Sequence, residues 1–473
     1  MDLKKIFTVF LSVLCLFSVI RLSYGSPRSE VQALVKKYKL ENASIGIAAS
    51  YTDKDKLIYD YAQNRSFTPA SNNKIFTAIA ALTALPDDFT FDTTVLYNPA
   101  QLKNQTLNGD LIIEFSGDPS LTGTELYKLI ERIKNKIHDI KGNILIIANT
   151  FTGSYIPPGW SGEDVDYCYA APASTLNMNK NCLVIKLINT EGNKTKVEPV
   201  ANTGNIIIHN DTRLAYAAAR KDCPFIIKMD NKNILTLSGC LPRKAEFYMS
   251  LAIANPALKT LDTIKDFFKQ VGIHYSGDIK TGTMPTNGHY QTLVEHKSAN
   301  LKQMITYMLV HSDNLYAESL ARTVGFKLSG DGSIENSTKV IESLLEKTYG
   351  VNIHALTMKD GSGLSLLDEV SPYFMVTLLN KVYRSKIGKK LYDYLPTSGI
   401  DGTLSYRMSK TLRGKVHAKT GTLSGVSTLS GYLVTKRKHI VTFSIMLNEL
   451  SEKQRYNARA FQDSVLRVFY NYF

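Results

Sequence analysis

Two blocks of helix-forming text enclose a long stretch written almost wholly for strands, and that arrangement limits the fold more than any other feature. At the N-terminal end, Ser29 to Leu40 (SEVQALVKKYKL) reads as a short amphipathic helix. Ala43 to Ser50 (ASIGIAAS) follows with strand-like text. Pro69-Ala70 then leads into SNNKIFTAIAALTAL, with an apolar stripe at Ile75, Ala78, Ile79 and Leu82, so a helix starts at or just before Ser71. From about Phe89 to His289 the text changes to short β-like runs (NGDLIIEF, GNILIIAN, NCLVIKLI, PFIIKM, NILTLSG) broken by turn residues, with few helix candidates. Its length suits one or two domains. Helical text resumes at His296. The chain ends as three strands, Lys415 to Thr422, Ser427 to Thr435 and His439 to Leu447, followed by an amphipathic helix from Asn457 to Tyr472. Short turns predict antiparallel pairing of those strands. The two outer blocks therefore read as one α+β domain, residues 26–89 and 290–473, interrupted by a β-rich inserted region, 90–289. The first and last helices should cover one face of its sheet.

The first 25 residues carry a different message. Lys4 and Lys5 precede a run from Ile6 to Ile20 that is apolar except for Thr8, Ser12 and Ser18, and Ser23 and Gly25 place small residues before a cut. That pattern predicts a secretory signal peptide over 1–25 and an exported protein. The run is shorter than the ~20 residues of a spanning helix. Beyond it the chain keeps four cysteines, Cys168, Cys182, Cys223 and Cys240, an even number that permits two disulfides in an oxidising compartment. Local pairs, Cys168–Cys182 and Cys223–Cys240, are favoured among three connectivities. The 473 residues hold 56 Lys plus Arg against 42 Asp plus Glu, a net charge of +14. Such a surface suits a polyanion, an anionic membrane face or an acidic wall polymer. Nucleic acid has no motif beyond that charge, and export argues against it. No paired Cys/His spacing occurs, so no metal or cofactor is expected.

Three short motifs can carry chemistry. Ser71 and Lys74 are three apart on a helix and share a face, so a lysine amine can take the serine proton. Ser312-Asp313-Asn314 lies in helical text between Met308 and Leu320, where a hydroxyl can relay a proton and an amide can bond a peptide. Lys419-Thr420-Gly421-Thr422 lies on a strand, with Lys419 and Gly421 on one face and Thr420 and Thr422 on the other. Glycine admits a substrate backbone close to the strand, and lysine plus hydroxyls receive a carboxylate. Each motif alone is cheap. Lys280-Thr281-Gly282-Thr283 repeats the third, and Ser298-Ala299-Asn300 repeats the second. Order discriminates, because Lys280 precedes Ser312 whereas Lys419 follows it.

Ser-x-x-Lys, Ser-x-Asn and Lys-Thr-Gly in that order resemble the signature of penicillin-binding proteins and serine β-lactamases. The long span from Ser71 to Ser312, with the compact one from Ser312 to Lys419, resembles the class C low-molecular-mass penicillin-binding proteins. These are D-alanyl-D-alanine carboxypeptidase/endopeptidases of the penicillin-binding protein 4 type. The resemblance extends to PASNNK around Ser71, SGDPSL from Ser116, PPGW ending at Trp160 and YAAPASTLNMNKN from Tyr169. It continues through SGCLP from Ser238, DGSGLS from Asp360, GIDGTLSYR from Gly399 and GKVHAKTGTLSGVSTLSGY from Gly414.

The resemblance implies a transpeptidase/serine β-lactamase-like domain, an antiparallel sheet with helices on both sides, interrupted by two inserted domains. It implies cleavage of D-Ala-D-Ala ends and D-amino-acid cross-links in peptidoglycan stem peptides, with β-lactam antibiotics as covalent inhibitors. Ser71 would be the nucleophile, Lys74 its base, Ser312 the proton relay and Asn314 the hold on the peptide. Lys419 would supply positive charge, Thr420 and Thr422 would bind the terminal carboxylate beside Gly421, and the Ser71 and Thr422 N–H groups would form the oxyanion hole. Asp164, four residues after Trp160, matches an acid that meets the free amino end of a diaminopimelate side chain; Glu163 and Asp166 offer the same charge. A β-lactamase or a catalytically silent wall-binding protein on the same fold are the alternatives. Homo-oligomerisation and peripheral membrane contact stay open, the latter raised by the C-terminal Tyr/Phe cluster.

Overall fold

The computed structural model describes residues 25–473, apart from residues 202, 203, 205 and 245. The expected signal peptide lies outside the described residues except for Gly25. Strands β1 (Ser44–Tyr51), β2 (Leu57–Tyr61), β3 (Val416–Leu423), β4 (Val426–Val434) and β5 (Ile440–Asn448) form one sheet in the order β2-β1-β5-β4-β3. All its pairs are antiparallel, and β1 meets β5 in the middle, Ile47 opposite Ile445. The three C-terminal strands pair as their short turns predict. The two ends of the chain thus share one sheet.

Period-two alternation divides the sheet's side chains between two cores. On one face Ile45, Ile47, Phe443 and Ile445 pack with Val31 of α1 (Pro27–Lys37) and with Phe461, Val465 and Phe469 of the C-terminal helix Arg455–Tyr472. The opposite face, with Tyr432 and Met446, packs on a larger helical core. That core is built from α2 (Lys74–Ala84), α3 (Leu301–His311), α4 (Asn314–Ser329), α5 (Ile334–Tyr349) and α6 (Pro372–Tyr383). Helices therefore cover both faces. In α2 every residue from Lys74 to Leu82 is buried. A helix apolar all round belongs inside a core, and Lys74 is the single charged group it takes there.

Between these halves the chain builds two further cores. A five-stranded sheet in the order 279–282, 144–147, 111–115, 92–97, 291–297 packs on helices Gly123–Ile133 and Pro256–Val271. Nested within that segment, two three-stranded sheets enclose Leu183, Ile185, Leu187, Leu235 and Leu237. The last strand of the first sheet runs to Lys297, so the seam falls beyond the residue 289 read from the text. Phe91 and Ser298 bond each other there: the Phe91 N–H donates to Ser298 Oγ and the Ser298 N–H to the Phe91 carbonyl, both at 2.9 Å. The chain enters and leaves at one point. Both helices of this region carry cap signals that the strand-like text obscured, a Thr122–Glu125 capping box and Asn255 before Pro256. The cysteines pair Cys168–Cys182 and Cys223–Cys240, the local pairing favoured above.

Candidate active site

Ser71 sits on a single 3-10 turn, Ala70–Asn73, that feeds directly into α2. Ala70 holds φ at 49°, a conformation costly for a residue with a Cβ. The surroundings impose it. Thr428 Oγ1 donates to the Pro69 carbonyl at 2.6 Å, Asn72 Nδ2 to Ser430 Oγ at 2.8 Å, and Asn73 Nδ2 to the Asp360 carbonyl at 2.8 Å. Strand β3 lies so close that a Cβ on Gly421 would stand 2.6 Å from the Pro69 oxygen and 3.0 Å from Ala70 Cβ. Glycine at 421 is thus required by the approach of two backbones.

Lys74 Nζ spends its three protons on Ser71 Oγ at 3.0 Å, Asn314 Oδ1 at 2.5 Å and the Ser362 carbonyl at 2.7 Å. Burial removes water from the ammonium and lowers its pKa to about 8, against the opposing pull of Asp360 and Glu318. Lys419 Nζ, also fully buried, donates to Ser312 Oγ at 2.8 Å and to the Thr420 carbonyl at 2.9 Å. Burial first, and then the Lys74 charge, push Lys419 well below the usual lysine range.

Ser312 departs from the text. Apolar residues run through Met308 to Leu320 without Gly or Pro, which predicts a continuous helix. Instead α3 ends at His311, Ser312 turns left-handed with φ at 56°, and Asp313 caps α4 by accepting the Tyr316 N–H. The break presents Ser312 to Lys419. Asn314 Nδ2 donates to the Tyr169 carbonyl at 2.7 Å, so a loop from the central region rests on this motif.

Ser71, Ser312, Thr420, Gly421 and Thr422 line one cavity of about 700 Å³. Lys280 does not: it lies exposed on the 279–282 strand. Nor does Asp164, which borders a second cavity of about 480 Å³ together with Glu163, Asp166 and Tyr169. Tyr169 links Asp164 to Asn314. Its hydroxyl donates to Asp164 Oδ1 at 2.5 Å, while its carbonyl holds Asn314.

Behind Lys74 lies a group of acids that the motifs did not single out. Asp360 is fully buried and accepts the N–H groups of Ser362, Gly363, Leu364 and Ser365 at 2.6–3.0 Å. Trp160 Nε1 adds a fifth bond at 2.7 Å. This fan shapes the turn that offers the Ser362 carbonyl to Lys74. Glu318, on α4 one turn after Asn314, accepts the Gly361 N–H at 3.0 Å, and burial raises its pKa to about 8, with Asp360 adding to the rise. Asp368 is pushed well above the carboxylate range by burial and then by Asp360. DGSGLS and PPGW marked two of these positions. Glu318 was legible only as a charge four residues from Asn314 on the same helical face.

A hydroxyl bonded to a buried lysine, faced by a second serine–lysine pair and closed by an edge strand on a transpeptidase-like fold, is an arrangement able to perform serine–lysine hydrolysis. The chain belongs to the D-Ala-D-Ala carboxypeptidase 3 (S13) family, whose profile matches residues 28–468, and it is a serine-type carboxypeptidase by that membership. It is 30% identical to D-alanyl-D-alanine carboxypeptidase DacB of Haemophilus influenzae, over 87% of this chain and 86% of that protein. It is 28% identical to the D-alanyl-D-alanine carboxypeptidase of Actinomadura sp. (strain R39), over 89% and 80%. The crystal structure of penicillin binding protein 4 from Haemophilus influenzae superimposes with a TM-score of 0.86 at 29% identity, covering 93% of this chain and 99% of that one. The same relative has been crystallised with a β-lactam, with a TM-score of 0.81 to this chain.

Proposed function

We propose that this chain is an exported, periplasmic DD-peptidase that hydrolyses D-Ala-D-Ala ends and D-amino-acid cross-links of peptidoglycan stem peptides through an acyl-enzyme on Ser71. The observation that carries this reading is the 3.0 Å bond between Ser71 Oγ and a buried Lys74 whose pKa is lowered to about 8. Near neutral pH some molecules hold a free amine beside the hydroxyl. Ser71 Oγ attacks the carbonyl carbon as its proton passes to Lys74. The C–N bond breaks, the leaving amine takes a proton by way of Ser312, and water then hydrolyses the ester. Backbone N–H groups of Ser71 and Thr422 would face the oxyanion; one such donor is typically worth ~10²–10³ in rate.

Thr420 and Thr422 receive the terminal carboxylate, and its charge would return a proton to Lys419 by offsetting the burial of that amine. Asn314 Oδ1 accepts from Lys74 and Nδ2 donates to Tyr169, which leaves one lone pair and one N–H of the amide for an arriving peptide. Asp164 suits the free amino end of a diaminopimelate side chain, reached across Tyr169 in the neighbouring cavity. The separate cores of residues 92–297 suit two inserted domains. Among the described residues no helix is long and apolar enough to cross a membrane. The signal-like leader and two disulfides support export. Penicillins are expected to acylate the same serine.

Labelling with a fluorescent penicillin tests the assignment. Ser71→Ala should abolish the label while the protein stays folded, and a surviving label would remove Ser71 from its role. Lys419→Ala should cripple labelling and Lys280→Ala should barely change it; the reverse result would mean the wrong motif has been assigned. Digestion of purified muropeptides by the same preparation must release D-alanine.

A further inference from the structure

A departing D-alanine is small, yet the cavity over Ser71 measures about 700 Å³, within the range of sites that enclose drug-sized ligands. The additional space lies beside Thr420 and Thr422, whose side chains project from the face of β3 opposite Lys419. The 402–407 turn and the start of the C-terminal helix wall this side with Thr403, Tyr406, Arg407, Arg459 and Asp463. Contacts hold the wall in place. Thr420 Oγ1 donates to Thr403 Oγ1 at 2.8 Å, and Gln462 Nε2 donates to Ser427 Oγ, whose residue pairs with Thr422 in the sheet.

The two arginines differ. Arg407 is a strut: it reaches Asp463 Oδ1 through Nη2 at 2.5 Å and Nε at 3.1 Å, and Gln462 Oε1 at 3.1 Å. Arg459 lends only its carbonyl to Arg407. Among the described residues its guanidinium has no carboxylate partner within salt-bridge distance, and partial burial, followed by the charges of Arg407 and Arg455, lowers its pKa. An exposed planar cation bordering the cavity, next to like charges and without an anion of its own, is open to receive one.

We infer that Arg459, on the wall braced by Arg407, forms a subsite for a second carboxylate, carried by the leaving peptide of a cross-link beyond the carboxylate that Thr420 and Thr422 receive. The inference rests on the proposed DD-peptidase reading and deepens it. A terminal D-alanine has no second carboxylate to offer, whereas a leaving stem peptide does, so this subsite favours cleavage of cross-links over trimming of ends.

The experiment compares two substrates with the full mature chain. For Arg459→Gln, the ratio of kcat/KM on a cross-linked muropeptide dimer to kcat/KM on an uncross-linked pentapeptide should fall about tenfold, mainly through a higher KM on the dimer. Arg459→Lys should recover part of that ratio. A dimer whose leaving-side carboxylates beyond the scissile residue are amidated should be cleaved as poorly by the parent as the ordinary dimer is by Arg459→Gln, with no further loss when the two changes are combined. An unchanged ratio, or an equal further loss on the amidated dimer, overturns the subsite. Penicillin labelling of the parent separates the two ideas: its absence would defeat the DD-peptidase reading itself, while labelling with an unchanged ratio defeats only the subsite.

Discussion

Raising the pH from 7 to 9 should accelerate penicillin acylation of Ser71 about tenfold, because the rate follows the free-amine fraction of Lys74. With its pKa lowered from 10.5 to about 8, about one molecule in eleven holds the free amine at pH 7, about half at pH 8 and about ten in eleven at pH 9. An ordinary lysine would supply roughly one molecule in three thousand at pH 7, so burial increases the available base about 300-fold. Asp360 limits that gain, since a carboxylate near an ammonium favours the charged form. Asp360→Asn should therefore move the midpoint to lower pH. The assay is the second-order rate constant for a fluorescent penicillin, measured by stopped flow between pH 6 and 9.5 at constant ionic strength. The chain's single tryptophan, Trp160, bonded to Asp360, reports in parallel whether the site stays intact. A rate flat across the range, or one still climbing without a plateau at pH 9.5, would remove Lys74 as the base. A midpoint that moves upward in Asp360→Asn would overturn the electrostatic argument.

Trp160→Phe removes the indole N–H from a fully buried carboxylate and should cost about 1.5–3 kcal/mol in urea denaturation; a change below about 0.5 kcal/mol would mean that the bond contributes nothing net. Glu318→Gln should relieve a pH-dependent penalty. The folded state keeps the Glu318 proton up to about 8, while the unfolded chain releases it near 4.5, so this group's stability contribution is lost as pH rises through that window. The variant should gain on the parent between pH 5 and pH 8, by on the order of 3 kcal/mol, and a gap that narrows with pH contradicts the sign. Gly421→Ala should slow acylation by about 10² or more, since the new Cβ meets the Pro69 carbonyl and Ala70 and displaces the turn that bears Ser71; acylation within a few-fold of the parent would show that the strand yields easily.

Local patterns exposed some of this architecture and concealed the rest for physical reasons. The three C-terminal strands were legible because short turns and alternation are local properties, and the order of the motifs separated Lys419 from Lys280. The break at Ser312 was not, because an apolar stripe continues across it and the left-handed turn depends on Asp313 capping the next helix. Asn314 reads as a polar residue on a helix; that its amide meets the Tyr169 carbonyl is a contact between segments far apart in the chain. The fan around Asp360 likewise needs Trp160, α4 and the 360–365 turn together. Asp164 follows from the family resemblance alone, and sequence position cannot reveal that Tyr169 bonds it through the hydroxyl and Asn314 through the carbonyl. The capped helices Gly123–Ile133 and Pro256–Val271 were masked by the strand-like runs around them.

The central pairing of β1 with β5 sets a schedule for the chain's birth. Ser44–Tyr51 emerges early, but its neighbour Ile440–Asn448 comes almost last. Contacts of such sequence separation close slowly, so nearly the entire polypeptide must be delivered before Ser71 meets Ser312 and Lys419. A nascent or truncated chain lacking β5 would carry a serine with no working apparatus, and hydrolytic power would switch on only once synthesis and delivery are complete.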